Sequence, residues 1–336
     1  MNNPKTAVLF FCTVLLACPA LGNMLSQPNR IDDARAFLNH GDFNRARALL
    51  EPLSAEKQQI EAWFLLGKLY YLSGEVDKAI DLLEKAKKGK PNNAPYFLWL
   101  GRAVGRKAEQ ATPFRAPFLA RQVHNAFRTA VDLDPYDFDA RDDLLSYYLD
   151  APGFLGGGKE KAIALVEQIK DQHPCYYLVQ LAQIREQEKS FDLEETLLQK
   201  AATLSPPCSA GFLALAEFYQ NKKNIKSARE TLQRTIQLFP ELPAAHFEFG
   251  RFEIEMGGNL ESGRREMEAF LKLYSSGSPY PFEAYYWLGK LSLKLNRPME
   301  AIGEFEQALG LFDAHSPSQN GLSEARQRIK NSRNSR

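Results

Sequence analysis

Apolar residues along this chain recur at i, i+3, i+4 and i+7, in paired segments separated by short polar turns. The pattern is plainest from Ile60 to Asn93. Trp63, Leu66, Gly67 and Tyr70 fall on one helical face, and after a tight turn at Leu72, Ser73 and Gly74 a second face carries Ala79, Leu82, Leu83 and Ala86. Gly67 and Ala79 are small where the two helices must approach. Pro91 ends the second helix, because it lacks the backbone donor and disfavours a helical predecessor. A hairpin this short cannot bury both its faces and needs neighbours of its own kind.

The same alternation divides residues 25–315 into eight hairpins, at 25–59, 60–93, 94–137, 138–174, 175–208, 209–242, 243–276 and 282–314, with a capping helix and frayed tail over 316–336. The first is degenerate, as a terminal repeat whose outer face meets solvent is expected to be. The third holds extra residues between its helices, within Gly105–Arg121, where Pro113 and Pro117 forbid one unbroken helix and Arg106, Lys107, Arg115 and Arg121 make the insert basic. It reads as a solvated loop, with partner contact as the alternative. In the fourth, the glycine-rich stretch from Asp150 to Gly158 reads as a loop whose Phe154 and Leu155 tuck against a neighbouring helix, with ligand contact as the alternative.

The Ile60–Asn93 hairpin resembles a tetratricopeptide repeat. That family's pattern of W-x2-L-G-x2-Y, then G, then A-x3-F-x2-A, then P is met by Trp63, Leu66, Gly67, Tyr70, Gly74, Ala79, Leu83, Ala86 and Pro91. The resemblance implies an all-α fold, a right-handed superhelical solenoid of about eight hairpins whose first helices line a concave groove. It also implies a protein or peptide partner in that groove. Carried over residue by residue, the groove-facing positions are Phe64, Lys68, Tyr71, Arg102, Arg106, Asp139, Asp142, Tyr176, Phe247, Arg251, Tyr286 and Lys290. They make the groove basic early, acidic in the middle and mixed late. The lysine and asparagine pairs that clamp a C-terminal carboxylate in chaperone-binding members are missing.

The N-terminus has another character. Lys5 precedes an apolar run from Thr6 to Ala17, too short to span a bilayer comfortably, and Ala20, Leu21 and Gly22 offer small residues for cleavage before Asn23. Residues 1–22 therefore read as a secretory signal. Leu15, Leu16, Ala17 and Cys18 also resemble a lipobox in which Cys18 would be lipidated, although plain cleavage is favoured. The chain is expected in an exported compartment, the bacterial periplasm or cell envelope, with an outer-membrane lipoprotein as the variant. Cys175 and Cys208 remain after cleavage. Equivalent points on stacked helices lie roughly 8–10 Å apart, beyond the usual bridging limit of about 7 Å, so both are expected to be free.

A net charge of +1 with 25% charged residues argues against a general nucleic-acid binder. Gly153 to Lys159 fits the start of a phosphate-binding loop, but Glu160 stands where a hydroxyl should reach magnesium and the preceding segment is helical. His40, His124, His173, His246 and His315 have no metal-ligand spacing, and His246 reads as a core residue. No nucleophile elbow occurs. The chain is read as a non-enzymatic adaptor without cofactor or metal. The alternatives are a self-associating envelope assembly protein and a carrier for a glycan or other small ligand.

Overall fold

The computed structural model describes residues 30–56 and 59–334, all-helical apart from turns. The proposed signal and Cys18 lie outside the described residues. Eight antiparallel hairpins follow one another: α1 (Arg30–Asn39) with α2 (Phe43–Ser54), α3 (Ile60–Leu72) with α4 (Val76–Gly89), α5 (Ala94–Glu109) with α6 (Ala116–Leu133), and α7 (Phe138–Asp150) with α8 (Lys159–Glu167). Then come α9 (Pro174–Gln187) with α10 (Phe191–Ala202), α11 (Ser209–Asn221) with α12 (Ile225–Leu238), α13 (Pro243–Met256) with α14 (Leu260–Leu273), and α15 (Pro281–Lys294) with α16 (Pro298–Leu311). A final helix, α17 (Ser316–Asn334), packs on α16. The hairpins stack into a solenoid.

Local chemistry starts many of these helices. Asp42, Asp137, Asn224 and Asn259 each accept a hydrogen bond from a first-turn backbone N–H. Pro174, Pro243, Pro281 and Pro298 open theirs, where the missing donor costs nothing. In several hairpins the helices meet over a missing side chain. A Cβ on Gly101 would lie 2.5 Å from the Phe127 ring, and one on Gly289 2.5 Å from the Phe305 ring. An aromatic ring of the second helix thus fills the hollow left by a glycine of the first, at native packing density.

Three expectations are corrected. The insert of the third hairpin is built mostly as helix: α5 runs on to Glu109 and α6 begins at Ala116, leaving a six-residue turn, 110–115, around Pro113. Phe114 and Phe118 at this edge are 97% and 68% exposed. Phe154 is 74% exposed rather than tucked in. A 3-10 turn over Gly153–Leu155, pinned by the Tyr147 hydroxyl donating to Leu155 O at 2.8 Å, points it outward. Finally, Cys175 and Cys208 form a disulfide with Cα atoms 6.4 Å apart. Cys175 lies in the first turn of α9 and Cys208 is the extended residue just before α11, and Gly211 lets α11 close in on Ala201 of α10, so the generic interhelix spacing does not apply.

The solenoid also closes on itself. The first hairpin does not face solvent at its outer side; it packs against the last. The Phe43 ring, 1% exposed, makes edge contacts with Tyr280, Phe282 and Phe312 at centroid distances of 4.8, 5.3 and 5.0 Å. The Asn44 amide donates to Leu309 O and Gly310 O at 2.9 and 3.0 Å and accepts from the Asp313 N–H at 3.0 Å, so it caps the end of α16. Arg47 reaches Asp313 at 3.4 Å, and the Tyr274 hydroxyl lies 2.7 Å from Asn39 O. Gly41, at φ 75°, lets the α1–α2 turn touch Pro281: a Cβ there would be 2.8 Å from the proline Cδ.

This seam should be separable from the rest of the fold. Phe43→Ala removes the ring on which three others converge, at a cost of about 3–5 kcal/mol. Small-angle scattering should then show a larger radius of gyration while helical circular dichroism is kept. An unchanged scattering curve and melting midpoint would rule out the closed arrangement.

Candidate functional site

Closure converts the concave face into a chamber. Its volume is about 770 Å³, with α3, α5 and α7 on one side and α15 with the 277–282 approach on the other. Of the groove positions expected from sequence, Lys68, Tyr71, Arg102, Arg106, Asp139 and Tyr286 line this space. Trp99, Asp143, Tyr280, Phe282, Trp287 and His315 line it too and were not anticipated.

The cations of the chamber are unequal. Arg102 is committed: Nε lies 2.5 Å from Asp143 and Nη2 3.4 Å from Asp139, both on the next inner helix. Burial opposes its charge, but those carboxylates more than offset this and hold it protonated. Lys68 makes no ion pair among the described residues; its Nζ sits 4.6 Å from the centre of the Trp99 ring. Burial, and then the neighbouring Arg102 charge, lower its pKa. Arg106 donates to Tyr71 O at 3.0 Å and lies 4.2 Å over the Tyr71 ring, also without a carboxylate partner among the described residues. Two cations rest on aromatic faces and neither forms an ion pair among the described residues, although the Asp139 charge acts on Lys68 from a distance. Tyr286, edge-on to Trp287 at 5.4 Å, faces them from α15.

Asp142 lies further along, on α7. It accepts from Gln180 Nε2 at 2.7 Å, and burial among the inner helices, helped by the charges of Asp139 and Asp143 and opposed by the Gln180 bond, pushes its carboxyl up to about 6. The early part of the groove is therefore less basic than the sequence alone suggests, since Arg102 is neutralised from the next repeat.

The remaining expected positions do not gather here. Phe64 is half-buried, with its ring 4.5 Å from that of Tyr96. Tyr176 stacks on Phe138 at 3.7 Å. Phe247 is 4% exposed and packs edge-on to Phe270 at 5.2 Å; it belongs to the core between α13 and α14, because burying an apolar ring outweighs the family register. Arg251 is held by Glu248 and Glu255 at 2.7 and 2.9 Å. Lys290 is half-buried on α15. His246, as expected, is a core residue, 7% exposed and bridging Glu266 and Pro240 O.

A family model described as tetratricopeptide repeat matches residues 31–94 and 257–317, and a second of the same description matches residues 210–241. The chain therefore carries tetratricopeptide repeats at both ends of its helical array and within it. No curated protein matches the sequence. Among solved structures, a tetratricopeptide repeat protein from Parabacteroides merdae is similar over 88% of this chain and 97% of its own, at 14% identity and a TM-score of 0.43. A human IFIT1 dimer is similar over 86% of this chain and 69% of its own, at 17% identity and a TM-score of 0.46. YrrB, described as a TPR protein with an unusual peptide-binding site, is similar over 72% of this chain and 97% of its own, at 14% identity and a TM-score of 0.37.

His315 belongs to both the seam and the chamber. His315 rests among the rings of Phe282, Tyr286 and Phe312, at 5.0, 5.6 and 6.2 Å, and burial lowers its pKa to about 4. The neutral form is thus the folded form. Its contribution is complete above the unfolded value of about 6.5 and is lost as pH falls through that value toward the folded one. Acidification over this window should expand the molecule in small-angle scattering, and His315→Phe should remove most of that expansion. Equal acid expansion in both proteins would show that the seam does not respond to His315.

Proposed function

We propose, starting from a chain that carries tetratricopeptide repeats, that this protein is a non-enzymatic adaptor binding an extended segment of a partner protein in its enclosed groove. The observation that carries the reading is the pair Lys68 and Arg106: two cations laid on aromatic faces at one wall of a chamber of about 770 Å³, with no carboxylate of the described chain committed to them. An acidic group of the segment would take that place, and Trp99, Tyr71 and Tyr286 would hold flanking apolar or aromatic side chains. Self-association is the weaker reading, because the faces through which solenoids stack end to end are used by the seam.

The exported compartment belongs to the same proposal. It is supported by the Lys5 and Thr6–Ala17 pattern and by the Cys175–Cys208 disulfide, a bond favoured in oxidising environments. A fusion of residues 1–30 to a reporter should be exported and processed, with Cys18→Ser leaving fractionation unchanged if cleavage is plain. A mature protein that retains Met1 would overturn this part.

The groove is tested with a fluorescent capped peptide rich in acidic and aromatic residues. Its affinity should fall as salt rises. Lys68→Ala combined with Arg106→Ala should weaken it by roughly tenfold, about 1.4 kcal/mol, whereas Arg115→Ala with Arg121→Ala at the outer edge should not. The reverse pattern would move the ligand from the chamber to the edge.

A further inference from the structure

A second cavity, of about 280 Å³, opens between α9, α10 and α11. Asp142, Glu186, Glu194 and Glu217 stand around it, over a floor that includes Leu198 and Phe218. Glu194 decides its character. It comes from the outer helix α10, is 6% exposed, and its Oε2 is buried without a hydrogen-bond partner. An unpaired carboxylate oxygen at such depth destabilises the fold, so packing gives no reason for it. No cation among the described residues fills the space. Arg251, the cation beside Glu217, is bound to Glu248 and Glu255; Arg141, beside Asp142, donates to Pro135 O and Leu165 O; Arg185 pairs with Glu188. Lys222, whose charge reaches Glu194, lies over the Phe191 ring at 2.9 Å.

We propose that this pocket is a receptor for an alkylammonium group, either a lysine side chain of the bound segment or a free polyamine. The carboxylates would surround the charge, Leu198 would pack on the alkyl stem, and the Phe218 face adds attraction for a cation. Among the described residues no three His, Cys, Asp or Glu side chains are arranged to hold a metal ion, so the acidic groups suit a larger organic cation. The disulfide between Cys175 and Cys208 ties the start of α9 to the residue preceding α11; these helices are the two inner walls, and the bond limits how far they can part. The lysine arm rests on the adaptor reading; the pocket itself does not.

The carboxyls predict the pH dependence. Burial and then the Glu186 charge push Glu194 up to about 7, opposed by Lys222. Burial, Glu248 and Glu186 raise Glu217 against Arg251, and Asp142 titrates at about 6 among Gln180, Asp139, Asp143 and Arg141. All three lose charge as pH falls, so cation binding should be stronger at about pH 8 than at about pH 5.5.

Calorimetric titration of the full mature chain with spermidine, and separately with a capped alanine–lysine–alanine peptide, tests this. At least one probe should bind, more tightly at the higher pH. Glu194→Gln should lower its affinity by roughly tenfold and flatten the pH response. The same variant should not melt earlier than the parent at the higher pH, because it removes an unpaired buried charge. Binding of spermidine alone assigns a free polyamine as the source, and binding of the peptide assigns a lysine side chain. Binding of neither probe, or a variant that matches the parent's affinity at each pH, overturns the proposal. Since Glu194→Gln should bind the acidic peptide like the parent, a failed pocket leaves the adaptor reading standing, and a failed acidic peptide leaves the pocket standing.

Discussion

The close approach of two helices over a glycine is the contact on which this architecture depends. Where Gly101 faces Phe127 and Gly289 faces Phe305, the missing side chain lets a ring enter the space between helix axes. Each hairpin built on such a contact becomes a wedge of nearly fixed shape, and a stack that contains such wedges curves. The curvature accumulated over eight hairpins brings Phe43 to Tyr280, Phe282 and Phe312. The seam adds its own aromatic cluster and the Asn44 cap, but it can form only because the wedges have already carried the ends round to each other.

Enclosure changes the electrostatics of the inner face. On an open surface, Lys68 and the carboxylates of α7 would be strongly hydrated and worth little. Inside the chamber, the same groups sit at shifted proton affinities, Lys68 lowered and Asp143 raised, both chiefly by burial. The chain resolves part of this internally, by pairing Arg102 with Asp143, and leaves part unresolved at Lys68, Arg106 and Glu194. On the proposed reading, the unresolved groups are those that would distinguish one partner from another.

Much of the fold was legible in the sequence because its determinants are local. Trp63, Leu66, Gly67 and Tyr70 announce a helix face within eight residues, and the pattern repeats. The seam was not legible, since Asn44 and Leu309 lie 265 residues apart and neither carries a periodic signal. Tyr280, Phe282 and His315 entered the chamber by that long-range closure and could not be found from repeat register. Trp99 lay hidden between Leu98 and Leu100, in a run that reads as core. Phe247 failed in the other direction: its register pointed to the groove, but its apolar ring went to the core. Glu194 sits on an outer helix, where the family pattern directs no attention. The disulfide was missed because a generic helix spacing replaced the local convergence of α9 and α11.

A linear array of repeats has two free ends, and in such arrays unfolding starts at an end, where a unit has one neighbour instead of two. Here the Phe43 seam gives the first and last units a second neighbour. The boundary condition becomes periodic, as in a closed hoop compared with a cut strip. Apart from the terminal α17, no hairpin can peel away without breaking two interfaces at once, which raises the nucleation barrier for loss of structure more than it raises the stability of any one hairpin. A protein joined in this way should resist partial opening until it fails cooperatively. One small seam between residues far apart in sequence would then govern how the entire coil comes undone.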